Sequence, residues 1–173
     1  FVVNQLDHEY ANFTQTIDQA RDKFGKQITI MQYPVNQGAA FNTIIDLLKM
    51  QMYRFPAGGG KPEKLPIPPE ESERAAQFHN ELVERAAEND ENLMELYFEK
   101  GNLDEDEMRL GINKGMMNHD IFPVFCISAR KNMGSGRLMG FIDNVAPSAV
   151  EMPPEKTIDG KPVACDPSGP TVL

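Results

Sequence analysis

One stretch constrains the fold of this chain more than any other: an unbroken apolar run over residues 121–127. The run, Ile-Phe-Pro-Val-Phe-Cys-Ile, is followed at once by Ser128, Ala129 and Arg130. A short apolar run that contains β-branched and aromatic residues is typical of a strand buried on both faces. Because ligands of open α/β sheets bind just outside the carboxyl ends of such strands, Ser128 and Ala129 are candidate site residues.

A second stretch of the same kind opens the chain, where Phe1-Val2-Val3 is followed by Asn4-Gln5-Leu6-Asp7. Each of the two predicted strands leads into a predicted helix. For the first helix we expect Asp7 as the N-cap, Gly25 as the stop, and an apolar stripe at helical spacing made of Tyr10, Phe13, Ile17, Ala20 and Phe24. For the last helix we expect a start near Ser135 and a buried side made of Leu138, Met139, Ile142 and Val145.

Between these two parts, the sequence predicts a small antiparallel sheet followed by helices. Alternation over residues 27–33 predicts a half-buried strand, and residues 41–47 and 48–53 are two further strand candidates. The Gly- and Pro-rich stretch 57–71 is predicted to be a mobile loop. Its Gly58-Gly59-Gly60-Lys61 is not a phosphate loop, because the glycine spacing is wrong and no Ser or Thr follows the lysine.

The helical part begins at residue 70 and is strongly acidic. We expect a helix over residues 70–100 in two pieces, with a break at Asn89-Asp90, and another from about 103 to Met117, weakened by Gly111 and Gly115. Residues 70–107 hold 14 acidic and 3 basic side chains, whereas the net charge of the whole chain is −9. This distribution is unlike a direct nucleic-acid footprint. It suits either a basic protein partner or a solvated helix face.

Size and cysteine content add further limits. A chain of 173 residues can hold one domain, or one domain and a small appendage. It contains no apolar run of membrane-spanning length and no signal peptide, and its two cysteines lack metal-ligand spacing, so we expect a cytoplasmic protein without a metal site. Because Phe1 lies inside a predicted strand, the chain is also expected to be a fragment of a longer protein.

The two predicted strand-end loops together carry groups that can distinguish purine bases. The Asp7 carboxylate can accept two hydrogen bonds from an N–H and an NH₂ held side by side, a pair that guanine offers and adenine does not. The backbone N–H of Ala129 can donate to the guanine O6, and an aliphatic stem at Gln5 or Arg130 can cover the ring. Charge-assisted bonds of this kind contribute about 1.5–3 kcal/mol each. Leaving one unpaired can reject the wrong base by a factor on the order of 10⁴.

Each loop taken alone has a simpler interpretation. An Asn-x-x-Asp sequence is usually a helix cap and turn, and a Ser-Ala pair alone carries no signal. The placement of both at the ends of strands that lead into helices favours a nucleotide site.

Several motifs, in the same order along the chain, resemble the later part of the GTP-binding domain of translation elongation factor G. Asn4-Gln5-Leu6-Asp7 resembles the guanine-recognition motif Asn-Lys-x-Asp, and Ser128-Ala129-Arg130-Lys131-Asn132-Met133-Gly134 resembles the loop Ser-Ala-x-Lys-Asn-x-Gly. Between them, Gln32-Tyr-Pro-Val35 resembles Gln-Leu-Pro-Ile, and Phe41-x-x-Ile-Ile-Asp-Leu47 resembles Phe-x-Gly-Val-Ile-Asp-Leu. The stretch from Ala87 to Tyr97 is similar to Ala-Glu-x-Asp-Asp-Glu-Leu-Met-Glu-x-Tyr, and Pro123-Val-Phe-Cys126 is similar to Pro-Val-Leu-Cys.

The resemblance implies a fold and a division of the chain. The fold class it implies is α/β, the C-terminal part of a P-loop-type GTPase domain with an inserted α+β subdomain that holds a small antiparallel sheet and helices. Residues 1–26 and 119–147 would belong to the GTP-binding domain, and residues 27–118 would form the insertion. Residues 148–173 would be a linker into a following β-barrel domain.

The resemblance also implies a function in protein biosynthesis on the ribosome. The implied guanine-binding residues are Asn4, Gln5, Asp7, Ser128, Ala129 and Arg130. The implied ligand is GTP or GDP, and the phosphate loop, switch segments and Mg²⁺ ligands would lie upstream of Phe1. With those parts elsewhere, the fragment would carry no catalytic residue. The acidic residues at 70–107 would face the ribosomal stalk protein.

One departure from the motifs opens an alternative. The family's lysine at the second position of the first motif is Gln5 here. Because that lysine lies over the base and braces the phosphate loop, Gln5 leaves open a diverged relative. Such a relative would bind the ribosome with weakened or lost GTP binding and hydrolysis.

Overall fold

The computed structural model describes residues 1–58, 60–163, 165–166 and 168–169, with helices and strands mixed along the chain. Its described helices are α1 (Phe13–Phe24), α2 (Pro69–Ala87), α3 (Glu91–Lys100), α4 (Glu105–Met117) and α5 (Ser135–Asn144). Its described strands are β1 (Val2–Val3), β2 (Ile28–Ile30), β3 (Gln32–Pro34), β4 (Thr43–Asp46), β5 (Gln51–Arg54), β6 (Glu63–Leu65), β7 (Phe122–Cys126), β8 (Glu155–Lys156) and β9 (Pro162–Val163). The coarse prediction of a mixed α/β fold is therefore confirmed.

A three-stranded parallel sheet in the order β1-β7-β2 joins the predicted GTP-binding segments 1–26 and 119–147, and its third strand, β2, comes from the start of the segment predicted to be the insertion. Val3 lies opposite Cys126, so β1 and β7 end at the same edge of this sheet. The buried side chains of Phe13 and Ile17 on α1 belong to the core beside it. The predicted strand over residues 121–127 is confirmed as the central strand, in which Val124, Phe125 and Cys126 are buried.

The predicted start of the first helix is wrong. Residues 8–11 form turns, in which the His8 N–H donates to the Gln5 carbonyl, and α1 begins only at Phe13. Its N-cap is Asn12, whose side-chain oxygen accepts the Gln15 N–H at 3.0 Å. Asp7 therefore has no capping role and remains available to the site, whereas Gly25 ends the helix as predicted.

The predicted strand over residues 27–33 is two strands that belong to different sheets. β2 pairs with β7, whereas β3 pairs with β4 in the small antiparallel sheet. All residues of β2 and β3 are buried, so the expectation of a half-buried strand is wrong. Contacts of β2 with both α1 and α2 account for this burial.

The antiparallel sheet has four strands in the order β3-β4-β5-β6. The predicted strands at 41–47 and 48–53 correspond to β4 and β5, and the fourth strand, β6, falls inside the stretch predicted to be a mobile loop. There Leu65 pairs with Met52. Pairing with β5 therefore orders part of a segment whose Gly and Pro content predicts irregular structure. Gly59, within the Gly-rich turn, lies outside the described residues.

The helices α2, α3 and α4 follow the predicted pattern closely. The break at Asn89-Asp90 is confirmed, because Asp90 caps α3 by accepting the N–H groups of Asn92 and Leu93. Gly111 does more than weaken α4: a Cβ atom there would overlap the carbonyl oxygen of Ala86, so the glycine permits close packing of α4 on α2. A Cβ atom at Gly115 would likewise lie 2.7 Å from the side chain of Ile121.

The last helix begins at Ser135 as predicted, and its predicted buried side is only partly correct. Val145 is buried and Leu138 packs against the core, but Met139 is 62% exposed and Ile142 is 51% exposed. Phe141 is buried as well. The Phe141 ring packs on the ring of Phe125, with 4.7 Å between centroids, and this contact sets which side of α5 faces the sheet.

The C-terminal tail differs from the single edge strand predicted over residues 156–163. It instead forms the hairpin β8–β9, with a turn at Gly160. Of the predicted linker 148–173, Ala164, Pro167 and residues 170–173 lie outside the described residues. Within the part of the chain that the structure describes, no helix has both the length and the apolar character needed to cross a bilayer.

Candidate functional site

The candidate site lies where β1 and β7 end side by side. The parallel pairing continues into the loops, since the Ile127 N–H donates to the Val3 carbonyl at 3.0 Å. The Leu6 N–H then donates to the Ile127 carbonyl at 3.4 Å. Two loops far apart in the sequence, 4–7 and 128–130, therefore meet at one edge of the sheet, as the sequence predicted.

Asn4 joins the two loops directly. Its side-chain Oδ1 accepts the backbone N–H of Ala129 at 3.0 Å and that of Gln5 at 2.7 Å. The first of these hydrogen bonds links residues 125 positions apart. The Ala129 N–H, which we expected to meet a base oxygen, is therefore already engaged, so a ligand carbonyl would have to share or replace the bond from Asn4.

A second backbone donor lies next to the engaged one. Within the described residues, the Arg130 N–H has no hydrogen-bond acceptor. Both Ala129 and Arg130 are exposed at the tip of the turn. The turn thus offers adjacent N–H groups to a ligand oxygen, one of them free.

Asp7 carries the negative charge of the site. The side chain of Ser128 lies close enough to lower the pKa of Asp7 by hydrogen bonding, and the Asp7 backbone N–H and the positive charges of Lys131 and Arg130 lower it further. Ser128 itself is fully buried, and its Oγ accepts the Lys131 N–H at 3.2 Å. Asp7 is therefore ionised at neutral pH and can only accept hydrogen bonds.

The turn after β7 is closed by its own backbone. Ser128 and Met133 exchange two hydrogen bonds, at 2.9 and 3.0 Å, and the Asn132 N–H donates to the Ala129 carbonyl at 3.1 Å. Gly134 follows with φ +85°, and a Cβ atom there would overlap the Cys126 carbonyl. Only glycine fits that position without rearrangement, so the turn returns tightly to the start of α5.

Gln5 and the cavity beside it complete the geometry. Gln5 is exposed and has φ +60°, an uncommon conformation for a side chain other than glycine. A cavity of about 190 Å³ lies on the α1 side of the first loop and is lined by Asn4, Gln5 and Tyr10, among others. The turn at 128–130 does not line this cavity, so the two loops meet at an open rim rather than around an enclosed space.

Gln37 and Gly38, for which the sequence predicts no role in the site, also contact the first loop and the helix after it. The Gly38 N–H donates to the Leu6 carbonyl at 2.8 Å, and the Gln37 side chain accepts the Phe13 N–H at 2.6 Å. In the sequence they read only as a turn between two strands. No local pattern indicates that this turn packs on a loop some thirty residues earlier.

The acidic block predicted to meet a partner is partly neutralised within the molecule. Several of its carboxylates form ion pairs with basic side chains: Glu71 with Arg74, Glu81 with Arg21, Glu88 with Arg85, Asp90 with Lys114, Glu105 with Lys49 and Arg109, and Glu107 with Lys100. On α3, the exposed carboxylates of Glu91, Glu95 and Glu99 accompany Phe98, which is 78% exposed. The face open to a partner is therefore smaller than the count of acidic residues suggests, and α3 is its clearest part.

Comparison with known protein families returns no match for this chain. A solved structure does resemble it: the crystal structure of a protein from Thermus thermophilus, with a TM-score of 0.75 and 26% sequence identity. The alignment covers 88% of this chain and 23% of the Thermus protein. This chain thus corresponds to less than a quarter of a longer polypeptide with the same local fold, which supports the mixed α/β architecture.

Proposed function

We propose that this chain is the guanine-recognition part of a ribosome-associated translational GTPase of the elongation factor G type. In this proposal the parallel sheet is the C-terminal part of a P-loop-type GTPase domain, and the four-stranded sheet with α2–α4 is its insertion. The observation that carries the proposal is the junction of two strand-end loops. Asn4 bonds the Ala129 N–H there, and the ionised Asp7 lies beside Ser128.

The chemistry of that junction suits guanine better than adenine. The Asp7 carboxylate accepts hydrogen bonds only, so it pairs with the N1–H and 2-amino donors of guanine. The Arg130 N–H donates to O6, and the Ala129 N–H joins it by sharing or giving up its bond to the Asn4 side chain. Adenine has an acceptor, N1, where the Asp7 carboxylate requires a donor. It also has a donor, the 6-amino group, where the N–H groups of the turn require an acceptor. Because these groups lie at an open rim, where water can pair with them, we expect the mismatch to give discrimination on the order of 10² rather than the roughly 10⁴ of a buried site.

Hydrolysis in this proposal belongs to the full-length protein rather than to this chain. Positioning and neutralising the phosphates requires a phosphate loop, switch segments and Mg²⁺. We place these upstream of Phe1. The residues named here bind and select the base, and none of them is catalytic.

The proposed partners are the ribosome and its stalk protein, in the cytoplasm. The exposed carboxylates of α3 with Phe98 between them suit a partner that presents basic residues around an apolar pocket. Charge complementarity of this kind mainly raises the rate of association and falls with added salt.

Gln5 supports one alternative function. An amide at this position cannot supply the cation that the motif normally holds beside the base and the phosphate loop. In the alternative, the protein is a diverged relative that binds the ribosome while its nucleotide affinity and hydrolysis are weakened or lost.

Titration of the full-length protein with GDP, GTP and ATP tests both functions. Guanine binding at least about a hundredfold tighter than adenine binding, with turnover stimulated by ribosomes, is the result expected of the GTPase. Ribosome binding without measurable guanine binding supports the diverged relative. Equal affinity for ATP and GTP contradicts the proposed role of the site. Asp7→Asn should remove the preference for guanine, and Asp18→Asn on the exposed face of α1 is its matched control, because it removes the same charge away from the loops.

A further inference from the structure

The turn between β3 and β4 touches the loop that carries Asp7, although the two lie on different sheets. The Gly38 N–H donates to the carbonyl oxygen of Leu6 at 2.8 Å. That carbonyl belongs to the peptide bond between Leu6 and Asp7. Its orientation sets the direction in which the Asp7 backbone, and hence its carboxylate, leaves the loop.

A second contact holds the same turn against the start of α1. The Gln37 Oε1 accepts the backbone N–H of Phe13, the first residue of the helix, at 2.6 Å. The first N–H groups of a helix have no partner within it, so a side chain from elsewhere satisfies one here. Asn12 satisfies another at Gln15, so the two capping contacts are separate and can be removed one at a time.

The turn is itself tied firmly to the antiparallel sheet. The Asn36 Oδ1 accepts the N–H groups of Asn42 and Thr43, each at 3.1 Å, and the Val35 N–H donates to the Thr43 carbonyl at 3.0 Å. Gly38 has φ +72°, a conformation that a side chain would strain. The position of Gly38 is therefore set by β3 and β4 rather than by the loop it contacts.

We propose that Gln37 and Gly38 are positioning residues for base selection, through which the antiparallel sheet orients Asp7. This inference rests on the proposed guanine site. Because the Leu6 N–H donates to the Ile127 carbonyl, the Leu6 backbone is held on one side by the end of β7 and on the other by Gly38. The end of β7 leads into the Ser128 turn, and Gly38 belongs to the turn between β3 and β4 of the antiparallel sheet. A shift of β3 and β4 is therefore transmitted to the groups that read the base.

The test compares Gln37→Ala with Gln37→Glu in the full-length protein. Gln37→Ala removes the acceptor for the Phe13 N–H, whereas Gln37→Glu keeps an acceptor oxygen at the same distance and places a negative charge favourably at the helix N-terminus. We expect GDP affinity to fall about three- to tenfold in Gln37→Ala and to recover in Gln37→Glu. Inosine diphosphate lacks the 2-amino group that pairs with Asp7, so its affinity should fall less than that of GDP.

Two control variants separate positioning from simple loss of helix stability. Asn12→Ala removes the other cap of α1 without touching the turn, and Gln19→Ala removes an exposed amide from the same helix. Neither should alter the ratio of GDP to inosine diphosphate affinity. If Asn12→Ala lowers that ratio as much as Gln37→Ala does, the effect comes from the helix and the positioning role is wrong.

Amide hydrogen exchange in the nucleotide-free protein measures the contact itself. The Phe13 and Gly38 amides should be protected in the wild type, and the Phe13 amide should exchange roughly tenfold faster in Gln37→Ala. Protected amides together with no guanine binding by the wild type would refute the proposed function and, with it, the positioning role. Guanine binding by the wild type that Gln37→Ala leaves unchanged would refute the positioning role alone.

Discussion

The rim formed by loops 4–7 and 128–130 and the body formed by α2, α4 and the antiparallel sheet are built from different interactions. At the rim, groups far apart in sequence are joined by single hydrogen bonds, such as that between Asn4 and the Ala129 N–H. In the body, close packing dominates, and Gly111 leaves no room for even a methyl group against Ala86. Ligand selection and folding stability are therefore separable in this molecule, and a substitution should affect one of them far more than the other.

The strongest test of this separation is Asp7→Asn. The amide loses the charge and turns one acceptor into a donor, so guanine affinity should fall on the order of 10²–10⁴-fold, while xanthine, which carries an oxygen at position 2, becomes the better ligand. The free energy of unfolding should change by less than about 1 kcal/mol, because Asp7 is only partly buried. Nucleotide titration and calorimetry on the same preparations measure both effects. Unchanged guanine affinity in Asp7→Asn would contradict the proposed role of Asp7 in base recognition.

Gly111→Ala is the converse substitution. Its methyl group would overlap the Ala86 carbonyl, so α4 must move away from α2, and we expect a loss of about 2–3 kcal/mol in the free energy of unfolding. Gly140→Ala on α5 is the matched control. Nothing lies within 4 Å of a Cβ atom there, so alanine should stabilise its helix by about 0.5–1 kcal/mol. Urea denaturation distinguishes the two, and equal effects would show that close packing at Gly111 does not matter.

An ion pair joins the antiparallel sheet of the body to α5, the helix that follows the 128–130 loop, and tests how separate the rim and the body are. On α5, Arg137 donates to the Asp46 Oδ2 of β4 through Nε at 3.2 Å and Nη2 at 2.9 Å, with its guanidinium over the Tyr53 ring. Arg137→Met keeps the aliphatic stem but leaves the Asp46 carboxylate without its cation. Since Asp46 is buried and Arg137 only partly so, we expect a loss of about 1–3 kcal/mol.

The double variant Asp46→Asn with Arg137→Met should recover part of this loss, because it removes the uncompensated charge. Chemical denaturation of the wild type, the two single variants and the double variant gives the four unfolding free energies of a double-mutant cycle. Purely additive losses would mean that the pair does not couple α5 to the antiparallel sheet.

The smallest expected change in the free energy of unfolding concerns the exposed ion pairs of the body. Hydrogen bonds from Lys49 and Arg109 hold the pKa of Glu105 below its ordinary value. The folded-state pKa therefore lies below the unfolded one. The stabilisation is fully present above the unfolded pKa and is lost as pH falls through the folded pKa. Glu105→Gln should cost about 0.5–1 kcal/mol at pH 7, as exposed ion pairs do, and the difference from wild type should vanish at a pH below the folded-state pKa of Glu105. A difference that persists at that pH would point to packing rather than charge.

Much of the fold follows from local sequence. The starts of α3 and α4 were predicted correctly because Asp90 and Asp104 cap their own helices within three residues. The meeting of the two site loops was also predicted, since parallel strands that are neighbours end at one edge of a sheet. Asp7 was wrongly assigned as a helix cap because Asn12, five residues later, offers the same chemistry. The choice between them depends on the turns at residues 8–11.

The sequence by itself determined where the described helices and the central strand β7 lie, and which polar residues stand at the strand ends. These features depend on hydrogen bonds and apolar spacing within a few neighbouring residues. Only the tertiary structure decided that β2 joins the parallel sheet, that α5 exposes Met139 and Ile142, and that Gly38 holds the peptide bond before Asp7. Each of these depends on a contact between residues distant in the chain, whose partner no local pattern specifies.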